Sequence, residues 1–251
     1  MADLCEQQTF TSLEQQFHHW YYFTKISAIN DLLAPLLSSN RGPFLCLDIG
    51  AGNGIISYGL SKLNPCHDLN WNRIDINYSN DDLMRDPLKA RTIPRNAVYD
   101  IIVACDVLEH LRSPTDLVQE LRDHCHSKTI LAITVPAHQY LWSYHDVALK
   151  HFKRYTTQEL ISDLTPCFYV VSTLYLYRLL LPVLFIYRKL NMILLPKPEN
   201  RTSSDMQPLP YLPNAILTWL LQCEAFIARA FTFSAQFHGS TILVIAKPCQ
   251  I

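Results

Sequence analysis

The chain has 251 residues, 49% of them hydrophobic and 17% charged, which is enough to bury a sizeable core in one α/β domain with an appendage. Its formal net charge of −1 excludes a molecule-wide field that would draw it to nucleic acid. The eight cysteines, at 5, 46, 66, 105, 125, 167, 223 and 249, form no C-x-x-C pair, and Asp3 and Glu6 bracket a polar opening in place of an apolar leader. A reduced, cytoplasmic setting is expected, in which the Asn200-Arg201-Thr202 sequon carries no meaning.

Residues 10–37 read as a helix, with Thr11 and Glu14 at capping-box spacing and Leu13, Phe17, Trp20 and Thr24 recurring on one face. The aromatic run His18 to Phe23 is too dense to be all core, so it serves either as packing or as a lid over a pocket. Pro35 and Arg41-Gly42-Pro43 are expected to close this segment. A strand over about 44–49 follows, then Gly50-Ala51-Gly52-Asn53-Gly54, then a helix from Ile55 to Leu63. A glycine loop between strand and helix lets a ligand approach backbone N–H groups.

Three ligands suit such a loop: a dinucleotide, a nucleoside triphosphate or S-adenosylmethionine. No lysine follows Gly54, which opposes the triphosphate, and Ile55 stands where the dinucleotide fingerprint wants glycine. Asp48 would repel a pyrophosphate but suits a positively charged group such as the α-ammonium of S-adenosylmethionine. The pattern Asp48-x-Gly50-x-Gly52-x-Gly54 resembles motif I of the class I S-adenosylmethionine-dependent methyltransferases.

Trp71 to Asn77 reads as a second strand, and Asp75 at its end is a candidate acceptor for two ribose hydroxyls, the alternative being a plain turn residue. A third strand is expected near 91–95. Tyr99 to Cys105 is a buried strand leading into Asp106-Val107-Leu108-Glu109-His110-Leu111. Ser113, Pro114 and Asp116 open a helix whose apolar face is Leu117, Val118 and Leu121. His124-Cys125-His126 looks like a metal cluster, but neighbours on a helix diverge and no metal is expected. Strand five is Thr129 to Val135, stopped by Pro136.

The stretch Tyr99 to Leu111 resembles the fourth strand and following loop of methyltransferases of ubiquinone and menaquinone biosynthesis. Val135 to Asp146, running on to Leu149 to Thr156, is similar to a pattern in a subset of bacterial methyltransferases. Those also carry an aromatic knot like His19-Trp20-Tyr21-Tyr22. The resemblance spans about residues 10–165 and implies a Rossmann-like α/β fold. Its sheet would be seven-stranded and mostly parallel with an antiparallel last strand, with helices on both faces, an N-terminal helix and a helical insertion before the last strand. The implied division is 1–43 as helical lid, 44–175 as cofactor-binding core, 176–237 as apolar insertion and 238–251 as final strand.

Thr156 and Glu159 form a capping box for a helix over 157–164, and Cys167 to Leu176 and Ser240 to Ala246 read as strands six and seven. Between them, Leu174 to Leu195 is very apolar, but Arg178, Arg188 and Lys189 keep its uncharged stretches short of the ~18 residues of a membrane span. Residues 196–213 hold five prolines and read as a linker. Ile216, Trp219, Leu220, Cys223, Ile227 and Ala230 then make a helical stripe, for which core packing is the first explanation. A dimer face, a substrate channel and a membrane-surface patch are the others.

The resemblance implies an enzyme of EC 2.1.1 type that transfers a methyl group from S-adenosylmethionine, by in-line displacement, to a small-molecule or lipid-like acceptor. A catalytically inactive scaffold of the same fold is the alternative, while Ile55 and Asp48 oppose an oxidoreductase. Expected cofactor contacts are Asp48, Gly50, Ala51, Gly52, Gly54, Asp75, Cys105 and Asp106. His145 with Asp146, and His151, are the acid–base candidates, unless the first two only pin their loop; Glu109 and His110 are expected to brace a helix. Trp20, Tyr21, Tyr144 and Arg154 are candidate substrate contacts. Lys150, Lys153 and Arg154 form a basic cluster suited to a phosphate or carboxylate, or else a solvated face. Expected partners are a small or lipid-like substrate and no nucleic acid, with peripheral membrane contact or homodimerisation through 176–237.

Overall fold

Runs rich in Ile, Leu, Val and Thr form seven strands in a computed structural model that describes residues 10–39, 42–194, 207–230 and 238–249. They are β1 (Phe44–Ile49), β2 (Leu69–Ile74), β3 (Lys89–Ala90), β4 (Tyr99–Cys105), β5 (Cys125–Pro136), β6 (Phe168–Leu176) and β7 (Thr241–Pro248). The sheet order is β3-β2-β1-β4-β5-β7-β6. All neighbours up to β5 pair in parallel, and β7 is antiparallel to both β5 and β6.

Side chains alternate across the sheet with period two. Ile101 and Val103 enter one core layer, with α2 (Trp20–Ser39) and α3 (Ile55–Leu63), while Ile102 and Ala104 enter the other, with α5 (Pro114–Asp123) and α7 (Thr157–Leu164). Helices thus cover both faces, as expected for a Rossmann-like sheet. The remaining helices are α1 (Leu13–Phe17), α4 (Asn80–Arg85), α6 (Tyr144–Ala148), α8 (Leu181–Leu194) and α9 (Tyr211–Ala230). Strand six, strand seven and the helix after Thr156 match expectation closely, and Thr156 with Glu159 makes both capping-box hydrogen bonds.

Several boundaries differ for identifiable reasons. The N-terminal segment is two helices, and its cap is Ser12, whose Oγ accepts from Gln15 N, in place of Thr11 with Glu14. Glu14 instead pairs with Lys62 and accepts from Tyr58 OH at 2.5 Å, tying α1 to α3. Pro35 lies inside α2 and does not end it: its ring faces solvent while Leu33 and Leu37 hold the helix to the core. β3 is only Lys89–Ala90, before the expected 91–95, and β2 ends at Ile74. β5 starts four residues early, so His124-Cys125-His126 is a strand start, with His124 on Ala97 O and His126 on Asp100. Ser113 sits at the N-cap of α5, but its hydroxyl meets Thr115 Oγ1 at 2.9 Å, not a backbone N–H.

α2 approaches α3 at Gly59, where a Cβ would lie 2.6 Å from Ile26 Cδ1 and 2.9 Å from Phe17 Cδ2. α9 packs on α2 through buried Leu221, and Asn214 Oδ1 accepts from Trp20 N at 2.8 Å. The predicted stripe of α9 is not core: Ile216, Trp219, Leu220 and Ile227 are exposed. The expected linker lies partly outside the described residues, and its last residues, from Tyr211, already belong to α9.

Candidate functional site

The strand order reverses between β1 and β4, so the carboxyl ends of β1, β2 and β4 meet at one edge of the sheet, where open α/β sheets bind ligands. Gly50, Gly52 and Gly54 turn the chain there at φ of +65°, +53° and +86°, a region that side chains rarely adopt. At Gly50 a Cβ would also lie 2.5 Å from Val107 Cγ2, on the segment leaving β4. Ile55 N donates to Asn53 Oδ1, and Asn53 Nδ2 donates to Gln16 Oε1 at 2.7 Å, so α1 is pinned onto the loop.

Asp48 is buried, and its Oδ2 accepts from Ser57 N at 3.2 Å. Burial pushes its carboxyl up to about 7, against the lowering effect of Ser57. It therefore braces the first turn of α3 from beside the glycine loop. Asp75 lies just past β2, where Oδ2 accepts from Gly52 N at 3.0 Å and Oδ1 from Asn77 N at 2.8 Å. The end of β2 and the glycine loop are thus one hydrogen-bonded unit, and Asp75 is more than a turn residue.

Asp106 follows Cys105 at the end of β4, in the left-handed region at φ +56°. Lys25 of α2, 2% exposed, donates to Asp106 Oδ2, as does Tyr21 OH at 3.3 Å, and Thr134 Oγ1 donates to Oδ1 at 3.0 Å. Burial raises the Asp106 carboxyl, but the Lys25 ammonium more than offsets this and holds it below the usual carboxylate range. Burial pushes the Cys105 thiol up to about 12, so it serves as a neutral packing group. Tyr177, also at positive φ (+59°), stacks on Tyr21 at 5.1 Å and donates to Tyr21 O at 2.6 Å. Asp106 and Tyr177, both in the left-handed region, thus meet around Tyr21.

A cavity of about 100 Å³ opens directly from Asp106. Trp20, Tyr21 and Tyr177, Leu184 and Arg188 of α8, and Glu109, His145, His151 and Arg154 are among its lining. Asp146 is fully buried behind this wall: it caps α6 through Ser143 N (2.9 Å) and accepts from Arg154 Nε (2.7 Å) and His151 Nδ1 (3.0 Å). Burial raises its carboxyl, but His151 and the two arginines bring it well below the usual range. Asp146 thus holds His151 and Arg154 in place, while His145 and His151 line the cavity.

Other expectations need correction. Tyr144 is not among the cavity-lining residues. The basic cluster is dispersed: Lys153 pairs with Asp163, Lys150 is exposed, and only Arg154 faces the cavity. Glu109 is itself part of the lining, and ligand-type atoms of Glu109, His110 and His151 lie within 4.8 Å of one another, an arrangement able to hold a cation. Burial, then His151, lowers the His110 imidazole to about 4, so it is neutral at pH 7. Lys25, Gln16, Tyr177 and Arg188 were missed. Lys25 shares a face with Tyr21 and Ile29, and Arg188 interrupts an apolar run, and both are signals of an inward-facing cation.

The profile of a family described as Methyltransferase domain matches residues 17–165. Coclaurine N-methyltransferase, solved with N-methylheliamine and SAH, is 13% identical over 88% of this chain and 70% of its own, with TM-score 0.50. Phosphoethanolamine N-methyltransferase 2 of Haemonchus contortus, solved with S-adenosyl-L-methionine, is 12% identical over 96% of this chain and 61% of its own, with TM-score 0.51. Its complex with phosphomonomethylethanolamine and S-adenosylhomocysteine gives 11% identity, 88% and 52% coverage, and TM-score 0.50. At such identities the likeness is one of fold. No curated protein matches the chain in sequence.

Proposed function

The chain belongs to the methyltransferase-domain family, and on that premise we propose that it moves a methyl group from S-adenosylmethionine to a small-molecule or lipid-like acceptor, as an enzyme of EC 2.1.1 type. The observation that carries this is the meeting of the glycine loop, Asp48, Asp75 and Asp106 at the carboxyl edge of β1, β2 and β4, with a lined cavity starting at Asp106. The cofactor is S-adenosylmethionine. The backbone of Gly50, Ala51, Gly52 and Gly54 would hold its methionine part, and Asp75 would accept from its ribose hydroxyls. Cys105 and Asp106 border the cofactor on the β4 side.

Methyl transfer from a sulfonium needs acceptor, methyl and sulfur in line and water kept out. The cavity beyond Asp106, roofed by Trp20, Tyr21 and Tyr177, suits the acceptor. His151, oriented by Asp146, and His145 are placed to take a proton from an acceptor hydroxyl or ammonium. Arg154 and Arg188 supply positive charge to an acceptor's acidic group. Residues 1–43 act as the lid, 44–175 and 238–251 as the core, and 176–237 as the insertion that completes the acceptor side.

An inactive scaffold is the second reading, favoured by Lys25 and Gly52 already occupying Asp106 and Asp75. Label from methyl-labelled S-adenosylmethionine incubated with the protein and a lipid extract should move into an extractable product. Label that stays with the cofactor, in a protein that binds it, would favour the scaffold.

A further inference from the structure

We propose that the outer face of α8 and α9 is a docking surface for an anionic lipid bilayer, with both helices lying in the headgroup plane. More than half of the exposed large hydrophobic side chains of the described residues sit on these two helices. Every described exposed position on either helix is aliphatic, aromatic, proline or methionine. Ile186 is 57% exposed, Trp219 65% and Phe226 72%, far beyond scattered surface apolar residues. No described helix is long and apolar enough to cross a membrane, so the face fits lying on a bilayer, apolar side inward, and not spanning it.

Charge decides the occupant. Across the two helices the sequence carries Arg188, Lys189 and Arg229 against a single acid, Glu224. Glu224 is turned away, accepting from Arg178 N at 2.9 Å and Leu179 N at 2.8 Å at the end of β6. Arg188 is held inward on Leu141 O at 2.9 Å. Lys189 remains beside the patch, its Nζ 5.8 Å from the Phe185 ring centroid. A cation edging an apolar, aromatic face matches anionic headgroups above acyl chains. A second copy would set this face against itself, with no outward acid on it among the described residues to meet Lys189.

The same helix also walls the cavity, through Leu184 and Arg188 on the inner side of α8. Docking would bring the cavity wall to the bilayer, so that a lipid-like acceptor enters without crossing water. That last consequence rests on the methyltransferase reading, while docking rests on the surface alone. Cofactor binding, measured on the same preparations, keeps the two apart.

The test is sedimentation of the full chain with phosphatidylglycerol/phosphatidylcholine vesicles, with phosphatidylcholine vesicles and without vesicles. The wild type should pellet with the anionic vesicles and less with neutral ones. The double variant Ile186→Asp/Trp219→Asp should lose about tenfold in partitioning while keeping its thermal transition, since both positions are exposed. Lys189→Glu should weaken binding to the anionic vesicles alone. A wild type that stays in the supernatant with both vesicle types overturns the proposal, as does a folded double variant that pellets equally well. So does a wild-type dimer that the double variant splits without any vesicle binding.

Discussion

Lys25 and Asp106 come from segments 81 residues apart, and their ion pair joins α2 to the end of β4. Removing one partner of a buried pair strands the other. Lys25→Met should therefore lower the unfolding free energy by about 2–3 kcal/mol, discounted because Asp106 is only half-buried. Adding Asp106→Asn should recover part of the loss, and chemical denaturation of the three variants reads both effects. Asp48 makes a pH prediction. Its carboxyl is raised by burial to about 7 from an ordinary 3.8, so between those values the folded state binds more protons than the unfolded one. Stability contributed by this group thus falls as pH rises through that window, by up to about 4 kcal/mol, and Asp48→Asn should remove the slope. A cationic ligand nearby would favour the ionised form, so cofactor affinity should rise with pH through 7. The glycine loop and its carboxylates were legible because their pattern is local in sequence. Lys25 was less so: its spacing from Tyr21 and Ile29 puts it on an inward face, but its partner is fixed only by the fold.

Between elements, Gly59 sets how closely α3 meets α2 and α1. Gly59→Val would drive methyl groups into Ile26 and Phe17, neither of which has room to retreat, at a cost of about 1–3 kcal/mol. A thermal transition several degrees lower would bear this out, and an unchanged one would mean that the helices separate freely. Helix periodicity announced the stripe on α9 correctly but left open whether core, a dimer face, a channel or a membrane surface would cover it. The period says that one side of a helix is apolar; what covers that side is a property of the neighbours, and here Leu221 faces α2 while Trp219 faces out. The cap of α1 slipped by one residue for a related reason, since Glu14 is drawn to Lys62 and Tyr58 on α3 and Ser12 takes the cap.

For the whole molecule, the order of apolar runs and helices, together with the family resemblance, implied the mostly parallel sheet that the strand pairing shows. The insertion of β7 between β5 and β6 was not readable from pattern, because pairs such as Leu176 with Thr241 join segments separated by the whole insertion. Between β6 and β7, α8 walls the cavity through Leu184 and Arg188 while α9 lies against α2, and both carry exposed apolar side chains. The central claim, a methyltransferase with its cofactor on the glycine loop, is tested most directly by calorimetry of S-adenosylmethionine and its demethylated product against the intact protein. The expected result is binding at one site per chain, weakened at least about tenfold by Asp75→Ala through loss of the ribose contact. Absence of binding heat, with the protein folded by its thermal transition, would contradict it.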